Sequence, residues 1–296
     1  MKPPVEVIEI RVKSVLNRVR GMDFRWSINP YRGCSHGCVF CYARRTHWFL
    51  DHDGVGEWAT KVFVKVNAPE VLRTELSRQS WKRELVAVGT ATDPYQAAEG
   101  RYRITRRILQ ALRDLRTPAS IVTRSPMILR DLDVLADLAR AAGLTVCVSV
   151  ATTDKDLARQ IEPTVAPPAQ RLKVVERLVA AGIRTGVLLA PILPELTDHP
   201  ASLAAVVRAA CDHGAHFVGH NVLHLGDVTR DAFFDFLHQH HPELVYRYAR
   251  LYSGKYAPRT YRQAVSRIVA EQKAQTRIAR RACLAPRPEP EQLVLL

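Results

Sequence analysis

The sequence predicts an α/β fold built on a parallel sheet. Three observations carry this: short apolar runs, amphipathic stretches alternating with them, and glycines at the junctions. The apolar runs fall at 85–89, 120–123, 144–150, 184–189 and 216–222. Helical spacing covers 104–115, 128–142, 170–181 and 203–213 between them. Strands that short suit a sheet covered by helices, and joining them in parallel requires right-handed crossovers. Gly143 and Gly182 each follow a helical stretch and precede an apolar run, which fits helix C-cap positions.

Taken in order, residues 5–10 alternate as an edge strand and are followed by Lys13, Arg18 and Arg20, so 1–23 reads as an N-terminal lead-in. A short strand at 24–28 delivers the chain into the loop 29–42. The segment holding His47, Trp48, Asp51, His52, Asp53, Gly54 and Gly56 reads as an irregular, exposed insertion or lid facing the site. Residues 61–66 alternate as a strand, and 68–78 have helical spacing with Pro69 in the first turn. Counting the strand at 24–28, the rhythm gives six β/α units over 24–225.

From 226 to 296 the rhythm breaks into a basic, helical C-terminal extension. Phe233, Phe234, Phe236 and Leu237 form an apolar cluster, followed by His238, His240 and His241. Beyond them Arg247, Arg250, Lys255, Arg259, Arg262, Arg267 and Lys273 are interleaved with Tyr246, Tyr248, Tyr252, Tyr256 and Tyr261. Two readings stand for this stretch. Cations beside aromatics suit phosphate contacts and base stacking, whereas Val265, Ile268 and Val269 suit a solvated helix packed on the core. The Pro-rich tail, 285–292, reads as flexible.

A chain of 296 residues, 47% hydrophobic and 24% charged, has the composition of a globular protein rather than a disordered one. No apolar run of signal-peptide length opens it and none reaches the length of a membrane span. A cytoplasmic location without a membrane partner is the expectation. Six cysteines are too few for a disulfide scaffold. The net charge of +14 and pI near 9.9 favour a polyanionic partner, although an arginine-rich proteome gives the same signature.

The loop 29–42 places Cys34, Cys38 and Cys41 in a C-x-x-x-C-x-x-C spacing. Three thiolates so spaced suit one iron–sulfur cluster and leave one iron open to a small molecule, which suggests a catalytic cluster. The rival is a zinc site completed by His36 or His47, in a non-catalytic nucleic-acid-binding protein.

The loop resembles the signature of the radical S-adenosylmethionine (radical SAM) superfamily, down to the aromatic Phe40 before the last cysteine. The resemblance implies a partial (β/α)6 TIM-like barrel over 24–225, with the loop at the carboxyl ends of the strands. It implies a 4Fe–4S cluster held by Cys34, Cys38 and Cys41, SAM on its open iron, and an electron donor such as a flavodoxin or ferredoxin. The expected activity is reductive cleavage of SAM to a 5′-deoxyadenosyl radical acting on an unknown substrate, with nucleic acid a candidate.

The turn Gly89-Thr90-Ala91-Thr92-Asp93-Pro94-Tyr95 stands where the superfamily receives the SAM amino group. It resembles the branch related to spore photoproduct lyase, and Asp93 is alternatively only a turn residue before Pro94. The resemblance also assigns Ser149 to the SAM ribose, and Glu162 and Arg171 to the surroundings of SAM; Arg171 is alternatively a helix-start residue in water. Cys147 shares the face of Ser149, about 6–7 Å deeper along the strand. It is either a hydrogen donor to a product radical or a small core residue. The loop Ala190-Pro191-Ile192-Leu193-Pro194 also matches this branch, with Glu195 where a glycine is expected, and Asn221 and His224 stand where adenine is flanked. Cys211 and Cys283 complete no second cluster motif. The lyase's hydrogen-donor cysteine has no counterpart, so thymine-lesion repair does not follow.

Overall fold

The computed structural model describes residues 4–22, 24–47 and 57–278. Its strands are β1 (Glu6–Ile10), β2 (Asn17–Arg18), β3 (Trp26–Ile28), β4 (Tyr31–Arg32), β5 (Lys61–Lys65), β6 (Val86–Val88), β7 (Ala119–Thr123), β8 (Leu144–Ser149), β9 (Arg184–Ile192) and β10 (Val218–Val222). The helices are α1 (Ala68–Leu76), α2 (Ala97–Tyr102), α3 (Ile104–Asp114), α4 (Leu132–Ala141), α5 (Lys155–Ile161), α6 (Pro168–Ala180), α7 (Pro200–Asp212), α8 (Asp227–His240), α9 (Val245–Leu251) and α10 (Arg259–Ala274). The expected lid residues Trp48, Asp51, His52, Asp53, Gly54 and Gly56, and Cys283 with the tail 285–292, lie outside the described residues.

The main sheet has the order β10-β9-β8-β7-β6-β3-β2. Its six strands from β3 to β10 pair in parallel, as the six-unit count requires, and β2 adds an antiparallel edge to β3. These strands bury Ile28, Val86, Val88, Ile121, Val146, Val148, Val187 and Leu189 almost completely, and α3, α4, α6 and α7 cover them with Leu109, Leu112, Leu135, Leu138, Val175, Leu178 and Val207. Burial of that much branched apolar surface is the main force holding the layers together.

A second, smaller sheet was not foreseen. β1 runs parallel to β5, and β5 pairs antiparallel with β4, so the lead-in is an edge strand of its own sheet. The stretch expected as one helix over 128–142 divides instead into a 3₁₀ turn, Pro126–Asp131, and α4. The turn is capped by the Ser125 side chain, which accepts from Met127 N. Helix α5 was also unforeseen; its Asp154 cap accepts from the backbone N–H groups of Asp156 and Leu157. In the C-terminal extension, Phe233, Phe236, Leu237, Val265 and Val269 are buried and Ile268 packs beside them, so this part of the chain is joined to the core.

Candidate active site

The cysteine loop begins where β3 ends, at the same end of the sheet as the tips of β6, β7, β8 and β9. Two glycines permit its path. At Gly33 φ is +76°, and a Cβ there would strike the Lys61 carbonyl oxygen and come within 2.8 Å of His47 Cε1. At Gly89 φ is +85°, and a Cβ would lie 2.5 Å from Pro94 Cδ. Gly89 N also donates to Ile28 O at 3.0 Å, tying the tip of β6 to the end of β3.

Side chains then lock the loop to the turn after β6. Asn29 Oδ1 accepts from Ala91 N at 2.7 Å, and its Nδ2 donates to Thr90 Oγ1 at 3.2 Å. Gln96 donates to Gly33 O at 3.0 Å and accepts from Ser35 N at 2.9 Å; Thr92 Oγ1 donates to Gly33 O at 2.8 Å. The Tyr42 hydroxyl donates to the Thr90 carbonyl. Gly89, Thr90 and Ala91 are thus brought against the cysteine loop.

Cys34 and Cys38 are buried and Cys41 is half-buried. Burial pushes the Cys38 thiol far up, with Glu162 and the other two thiols adding to it. It raises Cys41 too, followed by the Cys34 charge. The three sulfurs therefore lie within electrostatic reach of one another. Among the described residues no three His, Cys, Asp or Glu side chains close on one point as a single chelated ion requires. The donor set, three cysteine sulfurs on one loop, is of the kind that binds iron–sulfur clusters.

Neither histidine of the zinc reading completes such a site. His47 is buried between the Trp58 and Phe63 rings, with Nε2 3.2 Å from the Lys61 carbonyl oxygen. His36 lies with Nδ1 3.4 Å from Asp93 Oδ2. Burial opposes its charge, but Cys34 and Asp93 outweigh this and lift its pKa to about 10. Burial likewise pushes Cys34 up, and the His36 cation more than offsets it, leaving the thiol below its usual range.

Asp93 is more than a turn residue. Its Oδ1 accepts from Tyr95 N at 2.9 Å, the local turn, and from Thr123 Oγ1 at 2.8 Å; its Oδ2 accepts from Arg124 N at 2.7 Å. It joins the tips of β6 and β7 to His36. Burial raises its pKa, and His36 together with these N–H donors overcomes this and holds the carboxylate ionised.

The residues assigned to SAM surroundings meet in one buried network. Arg171, 1% exposed, donates to Glu162 Oε2 at 2.6 Å and to Ser149 O at 2.7 Å. It is no helix-start residue in water. Glu162 Oε1 accepts from Arg124 Nε at 2.8 Å, and the Arg124 guanidinium lies 5.6 Å from the centre of the Phe40 ring. Ser149 Oγ donates to Ala190 O at 3.1 Å. Burial opposes the Glu162 charge, and Arg171 and Arg124 more than compensate, so its pKa falls below the carboxylate range.

Arg124 was missed by sequence reasoning. Its signal was positional, a cation immediately after the third parallel strand, at the end where such sheets place their chemistry. Cys147 is half-buried rather than sealed in the core, flanked in register by Val122 and Gly186. Burial pushes its thiol up to about 11. Glu195 adopts φ +63°, so the backbone keeps the left-handed turn at which glycine was expected. Asn221 is exposed, and the His224 ring leans on Tyr256.

The three cysteines stand on a loop at the carboxyl ends of parallel strands, where an α/β fold of this kind places its chemistry. Comparison with known proteins narrows this. The family model described as Radical SAM superfamily matches residues 28–207, and the chain belongs to that superfamily. It is an enzyme of the radical SAM type, with a 4Fe–4S cluster and S-adenosylmethionine as its cofactors.

An uncharacterised protein of Mycobacterium tuberculosis is 43% identical over 278 residues, 92% of this chain and 81% of that one. Another, of Methanocaldococcus jannaschii, is 28% identical over 199 residues, 67% of this chain and 72% of that one. Among solved structures, a spore photoproduct lyase mutant with bound AdoMet and dinucleoside spore photoproduct superimposes with a TM-score of 0.70. It is 12% identical, with coverage of 91% of this chain and 79% of that one, a likeness of fold. Among the described residues no helix is long and apolar enough to cross a membrane.

Proposed function

We propose that Cys34, Cys38 and Cys41 hold the 4Fe–4S cluster, that Phe40, Gly89, Thr90, Ala91, Ser149, Glu162 and Arg171 form the SAM side of the site, and that the substrate is a nucleic acid or a nucleotide-containing molecule. The observation that carries the reading is the meeting of the cysteine loop with the tips of β6, β7 and β8 beside a buried Arg124–Glu162–Arg171 chain. When bound, the cluster and SAM supply a 5′-deoxyadenosyl radical that abstracts a hydrogen atom from the substrate.

The chain's own residues do the rest. The turn at Gly89, Thr90 and Ala91 offers backbone groups held in place by Asn29. Glu162 fixes both arginines, and Arg124 covers Phe40 and flanks Cys38. The six parallel strands are read as a partial (β/α)6 barrel over 24–225, with 1–23 as lead-in and 226–296 as basic extension. The location is the cytoplasm, where a flavodoxin or ferredoxin provides the electron. The net charge of +14 supports the nucleic-acid partner, as does the dinucleoside held by the lyase of similar fold.

Anaerobic reconstitution with iron and sulfide tests the reading. The expected result is about four irons per chain, a visible absorbance shoulder that dithionite bleaches, and 5′-deoxyadenosine formed from SAM. Zinc uptake without SAM cleavage would overturn it. For the partner, salt-dependent retention on single-stranded DNA or RNA is expected, and its absence at low salt rejects nucleic acid.

A further inference from the structure

Beside the cysteine loop lies an exposed aromatic with cations on several sides. Tyr256 sits between α9 and α10 and is 54% exposed. Its backbone is held by a bridge to His224, and next to it Leu225 N donates to Lys255 O at 2.9 Å. The His224 ring lies 4.7 Å from the Tyr256 ring, tilted by 49°, and braces a residue more than half of which stays exposed. Lys255 Nζ is 5.8 Å and Arg262 Cζ 5.6 Å from the ring centre.

Arg45 approaches the same place from a different element. It belongs to the 3₁₀ turn Tyr42–Thr46 that follows Cys41, and it acts on His224 electrostatically. Burial, then Lys255, then Arg45 push the His224 pKa down, which leaves a neutral ring among cations. Helix α8 ties this surface to the site, since Thr229 Oγ1 donates to Cys41 O at 3.2 Å. Arg45, Lys255 and Arg262 are all exposed, and among the described residues none of them has a carboxylate partner.

We propose that Tyr256, with His224, Lys255, Arg262 and Arg45 around it, is a platform on which one base of a single-stranded nucleic acid stacks while its phosphates lie on the cations, beside the cysteine loop. This rests on the nucleic-acid reading above and assigns it a place. A base has a flat face for the phenol and a charged backbone for the three cations. An acidic peptide would use the cations and leave the ring uncovered. A paired duplex keeps its bases within its own stack, so the partner is single-stranded.

The experiment measures binding of a labelled oligothymidylate to the full chain across a salt series. Tyr256→Ala is expected to weaken binding about tenfold or more, the loss of one stacked base, while Tyr256→Phe keeps wild-type affinity. Lys255→Gln is expected to reduce the slope of log affinity against log salt by about 0.7, the loss of one phosphate contact on a single strand. Thermal midpoint and SAM affinity should not move in any of the three. Equal binding by wild type and Tyr256→Ala overturns the platform and leaves the nucleic-acid reading standing; no binding by wild type removes both. Competition by polyglutamate as strong as that by unlabelled oligothymidylate, or a parallel loss of SAM affinity in Tyr256→Ala, also overturns the platform.

Discussion

Replacing Glu162 by Gln tests whether the buried network holds the site together. Its side chain and that of Arg171 are each only 1% exposed, 2.6 Å apart, and Arg124 shares the same carboxylate at 2.8 Å. Removing the charge leaves Arg171 buried with the Ser149 carbonyl and a neutral amide as its partners. Breaking a buried pair in this way costs about 3–5 kcal/mol, largely the penalty of the stranded cation. For a chain of this size the thermal midpoint should fall by about 5–8 °C.

Arg171→Met strands the carboxylate instead, with Arg124 still beside it. The double variant should be more stable than the sum of the single losses allows, with a coupling of at least about 2 kcal/mol. Urea denaturation of the four proteins provides the measurement. The pH dependence gives a second check. Glu162 has a lowered folded pKa, so its contribution is fully present above the ordinary carboxylate range and is lost as pH falls through that lowered value. Wild type should therefore lose stability on acidification more steeply than Glu162→Gln. Additive single losses below about 1 kcal/mol, with parallel acid limbs, would refute the network as a structural unit.

Other perturbations follow from the same coordinates. Gly33→Ala must strain a left-handed backbone and strike the Lys61 carbonyl, whereas Gly182→Ala has φ +75° with nothing within 4 Å. The second should cost about 1–2 kcal/mol, the backbone penalty alone, and the first clearly more, with loss of iron loading; equal costs by denaturation would show that the loop yields. Lys65, 9% exposed, donates to Asn29 O at 2.8 Å, and burial followed by Arg32 lowers its pKa to about 8. Between that value and the unfolded one near 10.4 the unfolded chain binds the extra proton, so stability from this group rises with pH, by about 3 kcal/mol in all. Lys65→Met should lack that rise, and parallel stability–pH curves for the two proteins would count against it.

The strands of the parallel sheet were legible because most are short apolar runs closed by a turn, a signal carried by adjacent residues, whereas β2 and β4, two polar-containing residues each, were not. The cysteine loop was legible for the same reason, since its three thiols span a few residues. Helix α5 was not, because Lys155–Ile161 is short and mostly polar and its Asp154 cap reads equally well as a loop. Nor was the sheet of β1, β5 and β4, whose pairing depends on partners 55 positions apart, such as Glu6 and Lys61.

Glu195 separates two kinds of legibility. The need for a left-handed turn after β9 was readable and the backbone meets it at φ +63°, without the glycine. A non-glycine residue there costs about 1–2 kcal/mol. Asp198 Oδ1 accepts from Glu195 N at 2.9 Å, and Arg247 Nη1 donates to Glu195 Oε2 at 2.8 Å; together they offset part of that cost. The Arg247 contact comes from α9, so compensation arrives from the extension and no local pattern announces it. Arg124 follows the same logic. Its role exists only because β7, the end of α5 and α6 converge, and Glu162 lies 38 positions away in sequence. Three cysteines on one short loop can be read from the chain, while the partners of the charges buried nearby are set by which strand tips become neighbours. The measurements that bear most directly on this enzyme's function are therefore those on Glu162 and Arg171, which the family pattern pairs, and on Arg124, which no motif joins to them.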